Sequence, residues 1–253
     1  MIPRLLTRVA LLAFTALPLR ALPLQDGEHL TYRVSWAIVP GAGEIKVDAH
    51  ASPTTPGQLV VTSTTATRRL AKLLLPFEAK ASSTFDLKSG QLLSLHEKSL
   101  TRAKPSEHTL AFDNAKREAT YTKLVPPAEP RVLPIPPGEP VDLIMALLQT
   151  RTWDLKPGEK RDALVLFDDD FYELTLYALH YETVKTAVGT FNTLVLEPRM
   201  EKTAPKGMFK RGSTVRVWIA QDDHKLPVQF QVEFKIGTGT AVLEAYTPPT
   251  RPR

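Results

Sequence analysis

Apolar and polar residues alternate along most of the chain, which is the pattern of β-strands with one buried and one exposed face. The clearest case is 29–38, where every second residue is apolar: Leu30, Tyr32, Val34, Trp36 and Ile38. Gly41 and Gly43 then mark a turn, and 44–50 is the returning strand. Similar segments are separated by short runs of Asp, Asn and Gly, which favour hairpin turns. The pattern predicts about eleven or twelve strands, mostly antiparallel to their sequence neighbours.

Three segments depart from this alternation. Residues 68–75 predict a short helical turn. Residues 125–140 are rich in proline and predict an extended linker between two strand-rich halves. In 141–153 apolar residues recur at i, i+4 spacing, which predicts one central helix with Asp142 near its start and Arg151 in its last turn.

These elements predict a mainly β fold. We expect a large curved antiparallel sheet or incomplete β-barrel, built as a meander, with the helix packed on its concave face. All of this falls within residues 22–253, which we expect to form a single β-rich domain because large all-β units commonly reach this size.

The N-terminus has the layout of a secretory signal peptide. Arg4 and Arg8 precede an apolar run, 9–19, and Ala21 supplies a small residue for cleavage. The alternative is a retained membrane anchor, although a spanning helix needs about 20 apolar residues. The chain has no cysteine, so we expect neither a disulfide nor an acylated N-terminal cysteine. The pattern predicts residues 1–21 as a signal peptide and a soluble periplasmic or secreted protein, not a lipoprotein, with no transmembrane segment in the mature chain.

Removal of that segment changes the charge. It takes away Arg4, Arg8 and Arg20, which lowers the net charge from +5 to +2. Nucleic-acid binding requires a concentrated basic face, so we expect no nucleic-acid partner.

No sequence motif for catalysis or cofactor binding occurs: there is no nucleophile elbow, phosphate loop or zinc-protease motif. Asp168, Asp169 and Asp170 could attract a hard cation, but three adjacent residues of an extended chain cannot face one ion, and a turn explains them better. A turn also explains Asp222 and Asp223. We therefore expect no metal and no cofactor.

Two further sets of residues could form a site. Glu182, Glu197, Asp222 and Asp223 could provide the carboxylate pair of a glycoside hydrolase. Aromatic residues on the strands are the ordinary content of a core, but a curved sheet under a helix can also leave an apolar cleft. For that case we predict four ligand-binding residues: Trp36, Arg151, Trp153 and Trp218.

Four segments in order resemble a known exported bacterial family, that of domain of unknown function 3108. They are 27–32 followed by Gly41 and Gly43, the helix 141–151, Gly189-Thr190-Phe191, and 218–228. Gln221 departs from the family pattern, in which a small serine precedes the two aspartates. The resemblance covers 27–246 and implies an exported β-rich domain, without an activity, a cofactor or a catalytic residue.

The sequence leaves three functional hypotheses. The first is a non-enzymatic binding or assembly module of the cell envelope, whose partner is a lipid, a polysaccharide or a protein. The second is an envelope carbohydrate hydrolase that uses a carboxylate pair. The third is a structural envelope component that acts only by interaction. The oligomeric state stays open in all three.

Overall fold

The strands follow one another along the chain with short connections. The computed structural model describes residues 22–37, 39–74, 76–102, 104–205, 209, 213–234 and 237–250. Its strands are β1 (His29–Trp36), β2 (Val39–Ala51), β3 (Gln58–Thr67), β4 (Phe77–Asp86), β5 (Leu92–Thr101), β6 (Lys104–Asp113), β7 (Glu118–Val125), β8 (Arg131–Pro134), β9 (Pro140–Asp142), β10 (Lys160–Phe167), β11 (Asp170–Thr186), β12 (Gly189–Arg199), β13 (Thr214–Ala220), β14 (Pro227–Phe234) and β15 (Gly237–Thr247). Two α-helices, α1 (Arg69–Leu74) and α2 (Leu143–Leu148), and a 3₁₀ helix, Gln149–Thr152, complete the described elements.

All fifteen strands form one sheet, in the order β8-β7-β6-β5-β4-β3-β2-β1-β15-β14-β13-β12-β11-β10-β9. Each half of the chain is a meander of antiparallel neighbours. The first and last strands pair with each other at the middle of the sheet, with Val34 opposite Ala241. The exception to antiparallel pairing is β9, which runs parallel to β10. The predicted mainly β fold with a large curved sheet is confirmed.

The concave face of the sheet carries the main core. Alternate residues of the central strands point inward, so Leu30 and Tyr32 of β1 and Val47 of β2 are each 1% exposed. Helix α2 packs against this face through Met145, Ala146 and Leu148. The alternation seen in the sequence therefore places one face of the N-terminal strands in the core, whereas β12 and β13 are buried on both faces, with Leu194, Val195 and Leu196 each at most 3% exposed.

The central helix is shorter than predicted. Val141 lies in β9 rather than in the helix, because its backbone pairs in parallel with Val165 of β10. Asp142 is the N-cap of α2, and the 3₁₀ helix that contains Arg151 continues the segment to Thr152. The prediction of an α-helix over 141–153 was therefore wrong at both ends.

The linker and the strand count also need correction. The segment 125–140 is not an open linker, since it contains β8 and ends on the first residue of β9. Proline is tolerated in β8 because β8 is an edge strand, and on its outer side no neighbouring strand requires a backbone N–H donor. With the short strands β8 and β9 included, the described part of the chain has fifteen strands instead of about eleven or twelve.

Strands β4, β7 and β8 of the first half contact β9 and the β10–β11 turn of the second half through side-chain hydrogen bonds and an ion pair, which together we call the clasp. Ser83 of β4 donates a hydrogen bond to Asp142 at the end of β9, at 2.5 Å. Tyr121 of β7 donates to Asp168, at 3.3 Å, and Arg131 of β8 pairs with Asp169. The clasp brings the β10–β11 hairpin over the inner face of β5–β7, where a second apolar cluster including Leu110 and Leu166 forms.

The predicted signal peptide, residues 1–21, lies outside the described residues. Neither helix in the described part of the chain has the length and the apolar run that a membrane-spanning helix requires.

Candidate functional site

An apolar cavity of about 400 Å³ lies between α2 and the concave face of the sheet. Its wall comes from β1, β2, β14 and β15 on one side and from α2 and β10 on the other, so the cavity sits under the junction of the two halves. No charged residue lines it among those that the structure describes. Among the described lining residues, those whose side chains carry a polar group are Tyr32, Trp36 and Thr65.

Tyr32 contributes its ring, and its hydroxyl is engaged elsewhere. The side chain is 1% exposed, and the hydroxyl donates a hydrogen bond to the carbonyl oxygen of Pro227 at 3.0 Å. Burial raises the pKa of the phenol, so the hydroxyl stays protonated and uncharged. What Tyr32 offers the cavity is an aromatic surface, packed on Phe230 with ring centroids 5.0 Å apart.

The cavity opens towards the C-terminal end of β1. Along that strand the inward-facing residues change from Tyr32, which is buried, to Val34 and Trp36, which are half-buried. The neighbouring strand β14 shows the same half-burial at Val232 and Phe234. The rings of Trp36 and Phe234 are 5.7 Å apart. These two rings mark the open end.

Small residues on β15 create the space for the Trp36 ring. A methyl carbon placed on Gly239 would lie 3.3 Å from two ring atoms of Trp36. Ala241, the next inward residue, also lines the cavity. Larger side chains at these positions would contact the aromatic rings of β1 and β14. Since β15 carries glycine and alanine beside those rings, a volume between them stays unfilled.

Helix α2 is held over the cavity by a buried N-cap. The Asp142 carboxylate accepts the backbone N–H of Met145 at 2.8 Å and the Ser83 hydroxyl at 2.5 Å. Burial raises the pKa of this carboxyl group, and the hydrogen bonds from Ser83 and Met145 act in the opposite direction. The cap therefore fixes both the first turn of α2 and its position against β4.

The four predicted ligand-binding residues do not converge on one site. Trp36 lines the apolar cavity. Trp153 lies in a smaller pocket on the other side of α2, where the Arg161 guanidinium stands 4.9 Å from the centre of its ring. Trp218 is 5% exposed and donates its indole N–H to Glu182 at 3.1 Å.

Arg151 sits in a buried ion pair beneath a shallow groove. Its guanidinium donates to the Glu28 carboxylate at 2.7 Å and to the carbonyl oxygens of Pro23 and His224. Tyr246 donates its hydroxyl to the same carboxylate at 3.0 Å, and burial together with Glu28 raises the pKa of Tyr246 to about 12. Arg151 thus ties the end of the 3₁₀ helix to the N-terminal segment and to the β13–β14 turn.

The candidate carboxylates are held by separate partners. Glu182 accepts the Trp218 indole N–H, while Glu197 accepts Arg199 and Arg216 at 2.8 and 3.3 Å. Asp222 accepts the backbone N–H groups of His224 and Lys225, as expected of a turn residue. None of these carboxylates lines the apolar cavity.

Asp168 and Asp169 form the tight turn between β10 and β11, and Asp168 has a positive φ of 57°. The predicted turn is confirmed there. Across the described ranges no group of three or more His, Asp or Glu side chains is arranged to hold a metal ion.

Sequence reasoning missed most of the cavity wall. Phe230, Val232 and Phe234 alternate on β14 and face the cavity, but the same alternation marks every core strand. The usable signal is the pairing of this strand with Gly239 and Ala241 on β15, since small residues opposite aromatics indicate a gap in the packing. That pairing requires the register, which the sequence does not provide.

A curved antiparallel sheet that encloses an apolar cavity against one helix defines a β-barrel-like protein. The chain belongs to the family described as Protein of unknown function (DUF3108), whose profile matches residues 31–244. The predicted resemblance is therefore confirmed.

One solved structure with a TM-score above 0.5 supports the fold. A β-barrel-like protein of domain of unknown function DUF1849 from Brucella abortus has a TM-score of 0.57 and 7% identity, over 90% of this chain and 100% of that chain. A protein with a YmcC-like fold from Bacteroides fragilis has a TM-score of 0.35 and 12% identity, over 90% and 98% of the two chains. At these identities the likeness concerns the fold alone. No curated protein matches the chain.

Proposed function

We propose that this is an exported, non-enzymatic envelope protein that binds a lipid-like molecule in the apolar cavity. The observation that carries the proposal is the cavity of about 400 Å³ whose described wall has no charged residue. Its volume falls in the range of sites that hold small ligands, which are about 300–1,000 Å³.

The chemistry of the wall defines the part of the ligand that enters. An unpaired charge would lose its hydration in the cavity and find no partner, so the inserted part is uncharged and apolar. Each methylene group moved from water into such a site contributes about 0.8 kcal/mol. An acyl or similar hydrocarbon chain fits both conditions.

The opening defines where the polar end of the ligand stays. The half-buried rings of Trp36 and Phe234 flank the open end, while Tyr32 and Val47 close the inner end. Aromatic rings at the boundary between an apolar interior and water suit a ligand with one apolar and one polar end. We therefore place the polar end outside, beyond Trp36.

A bulky residue at Ala163 tests the proposal. Ala163 is half-buried on β10 and lines the cavity, so Ala163→Phe places a ring in the ligand volume. Displacing about two methylene groups costs about 1.6 kcal/mol, so we expect the affinity for the uncharged probe N-phenylnaphthylamine to fall at least about tenfold in a fluorescence titration.

The matched control is Ala111→Phe, which places the same ring on the exposed face of β6 and should leave the titration unchanged. Organic extraction of purified wild-type protein, followed by mass spectrometry, should release a co-purified lipid. Equal probe affinity in wild type and Ala163→Phe, together with an empty extract, would contradict lipid binding and leave the cavity as a packing defect.

A further inference from the structure

A second, smaller pocket of about 230 Å³ lies on the opposite side of α2 from the apolar cavity. Met145, Gln149 and Thr152 line it, and their i, i+4, i+7 spacing places them on one face of the helical segment. Leu143, Ile144 and Leu147 face the apolar cavity. The segment 143–152 therefore separates two spaces of different chemistry.

The side-chain amide of Gln149 is the unexplained group in this pocket. Gln149 is 7% exposed, and its Nε2 has no hydrogen-bond partner among the described residues. Buried polar side-chain groups are nearly always paired, so a partner of some kind is expected. Rotation about the last side-chain bond exchanges Nε2 with Oε1 at little cost, so the amide can present a donor or an acceptor to the pocket.

The rest of the pocket combines apolar and polar walls. The rings of Phe85 and Trp153, which are 0% and 6% exposed, lie behind the pocket wall, and Arg161 lies against the Trp153 ring. Glu139, which also lies 3.9 Å from the Arg117 guanidinium, adds an acceptor, and the formal charges of the lining residues Glu139 and Arg161 cancel. The pocket thus offers donors, acceptors and apolar surface with no net formal charge.

We propose that this pocket binds a single hydroxylated ring, such as one sugar unit. A hydroxyl group both donates and accepts, so it pairs with an amide in either orientation and with carboxylate and guanidinium groups. The C–H faces of a sugar ring match the apolar walls. A volume of about 230 Å³ is below the usual range of about 300–1,000 Å³ for ligand sites, which favours one ring over an oligosaccharide.

The test follows the Gln149 amide directly. The protein is labelled with ¹⁵N-glutamine, and the side-chain amide signals of the wild type and of Gln149→Leu are compared. The signal that is missing from the variant is assigned to Gln149. Titration with methyl glucoside and N-acetylglucosamine should shift this signal in the wild type. Loss of one hydrogen bond should weaken the affinity of Gln149→Leu about tenfold, measured by saturation-transfer NMR on the sugar.

The matched control is Gln231→Leu, which removes a half-buried glutamine amide on β14 that contacts Thr240. It should leave the sugar affinity unchanged, and thermal unfolding should show that both leucine variants are folded. A response to acetate but to neither sugar would overturn the assignment in favour of a carboxylate. No response to any of the three probes would overturn it in favour of a buried water.

The proposal is independent of lipid binding. Ala163→Phe alters the apolar cavity and should leave the sugar response as in the wild type. If Ala163→Phe fails to change probe binding while the Gln149 response persists, lipid binding alone is contradicted.

Discussion

At the scale of single residues, a few polar groups stand inside an apolar interior and determine how the protein responds to pH. His108 on β6 is 3% exposed, and its Nε2 has no hydrogen-bond partner among the described residues. Its ring packs on Tyr121, with centroids 5.2 Å apart, and its Nδ1 is 3.9 Å from an oxygen of Asp168. Burial lowers the pKa of His108, against the attraction of Asp168 and Asp169.

His108 should make the protein less stable in mild acid. Below the ordinary pKa of 6.5, this histidine is protonated in the unfolded chain, whereas the folded protein disfavours its protonation. The free energy of unfolding therefore decreases as the pH is lowered. His108→Phe removes this proton and the unpaired nitrogen, and should lose less stability between pH about 7.5 and about 5, measured by urea unfolding. At neutral pH we expect it to be equal to the wild type or more stable by about 1–2 kcal/mol.

His96→Phe is the control for this prediction, because His96 is about half exposed and bonds Glu107 on the outer face of the neighbouring strand. It should retain the acid response of the wild type. If His108→Phe and the wild type lose equal stability on acidification, His108 is not the group responsible.

At the scale of elements, α2 is too short to be stable by itself and depends on its cap and its packing. Six residues cannot sustain an isolated helix, since even sequences with high propensity need about 12–15 residues. Asp142 compensates by joining the first turn of α2 to Ser83 on β4. The helix that separates the two pockets is therefore positioned by one carboxylate.

Substitutions of Asp142 distinguish the effect of its charge on stability from the effect of its hydrogen bonds. Since burial raises the pKa of Asp142, its contribution to stability is complete below the ordinary pKa of 3.8 and is lost as pH rises through the folded value. Asp142→Asn keeps an acceptor for Met145 and should not show this loss in urea unfolding at a series of pH values. Asp142→Ala should cost about 2–4 kcal/mol at low pH, because it removes the cap and leaves Ser83 unpaired, and the cost should shrink as the pH rises, because the variant also lacks the titrating group.

Ser83→Ala is the companion variant, which removes the donor and should steepen the loss of stability at higher pH. A pH profile of Asp142→Asn that matches the wild type would show that Asp142 does not titrate in the folded protein.

The sequence predicted long strands well and short elements poorly. β1 has five alternating apolar residues in its predicted segment, which is enough to define its period and its inward face. β9 has three residues, Pro140–Asp142, and too short a run to show any period, so it was merged with the helix that follows. Trp36 was found because a tryptophan is conspicuous, whereas Phe234 and Gly239 depend on a strand register that only the folded sheet shows.

At the scale of the whole molecule, the first described residues, 22–24, pack against the rest of the protein. Leu24 is 1% exposed, and the carbonyl oxygen of Pro23 accepts a hydrogen bond from Arg151. From Pro23 onward the described chain therefore contacts the rest of the protein, two residues after the cleavage site that the sequence predicts after Ala21.

The corresponding prediction concerns the mature N-terminus. Protein recovered from the periplasm of a bacterial host should begin at Leu22, by N-terminal sequencing or intact mass. Substitution of Ala21 by a bulky residue, Ala21→Trp, should slow processing, because the cleavage site requires a small side chain. Recovery of the full-length chain in the cytoplasm, with no processed form, would contradict export.

The pairing of β1 with β15 has a consequence for the order of events during synthesis. Arg33 and Glu244, which pair across this junction, are 211 residues apart in the sequence. Contacts of such separation form late, because closing a long loop must precede them. A chain that crosses a membrane from its N-terminus would expose the edge of β1 until its last strand arrives, and an exposed strand edge invites aggregation. Because residues of both β1 and β15 line the apolar cavity, a nascent chain has no complete cavity until β15 has been made, and a ligand present at that moment would favour the completed sheet.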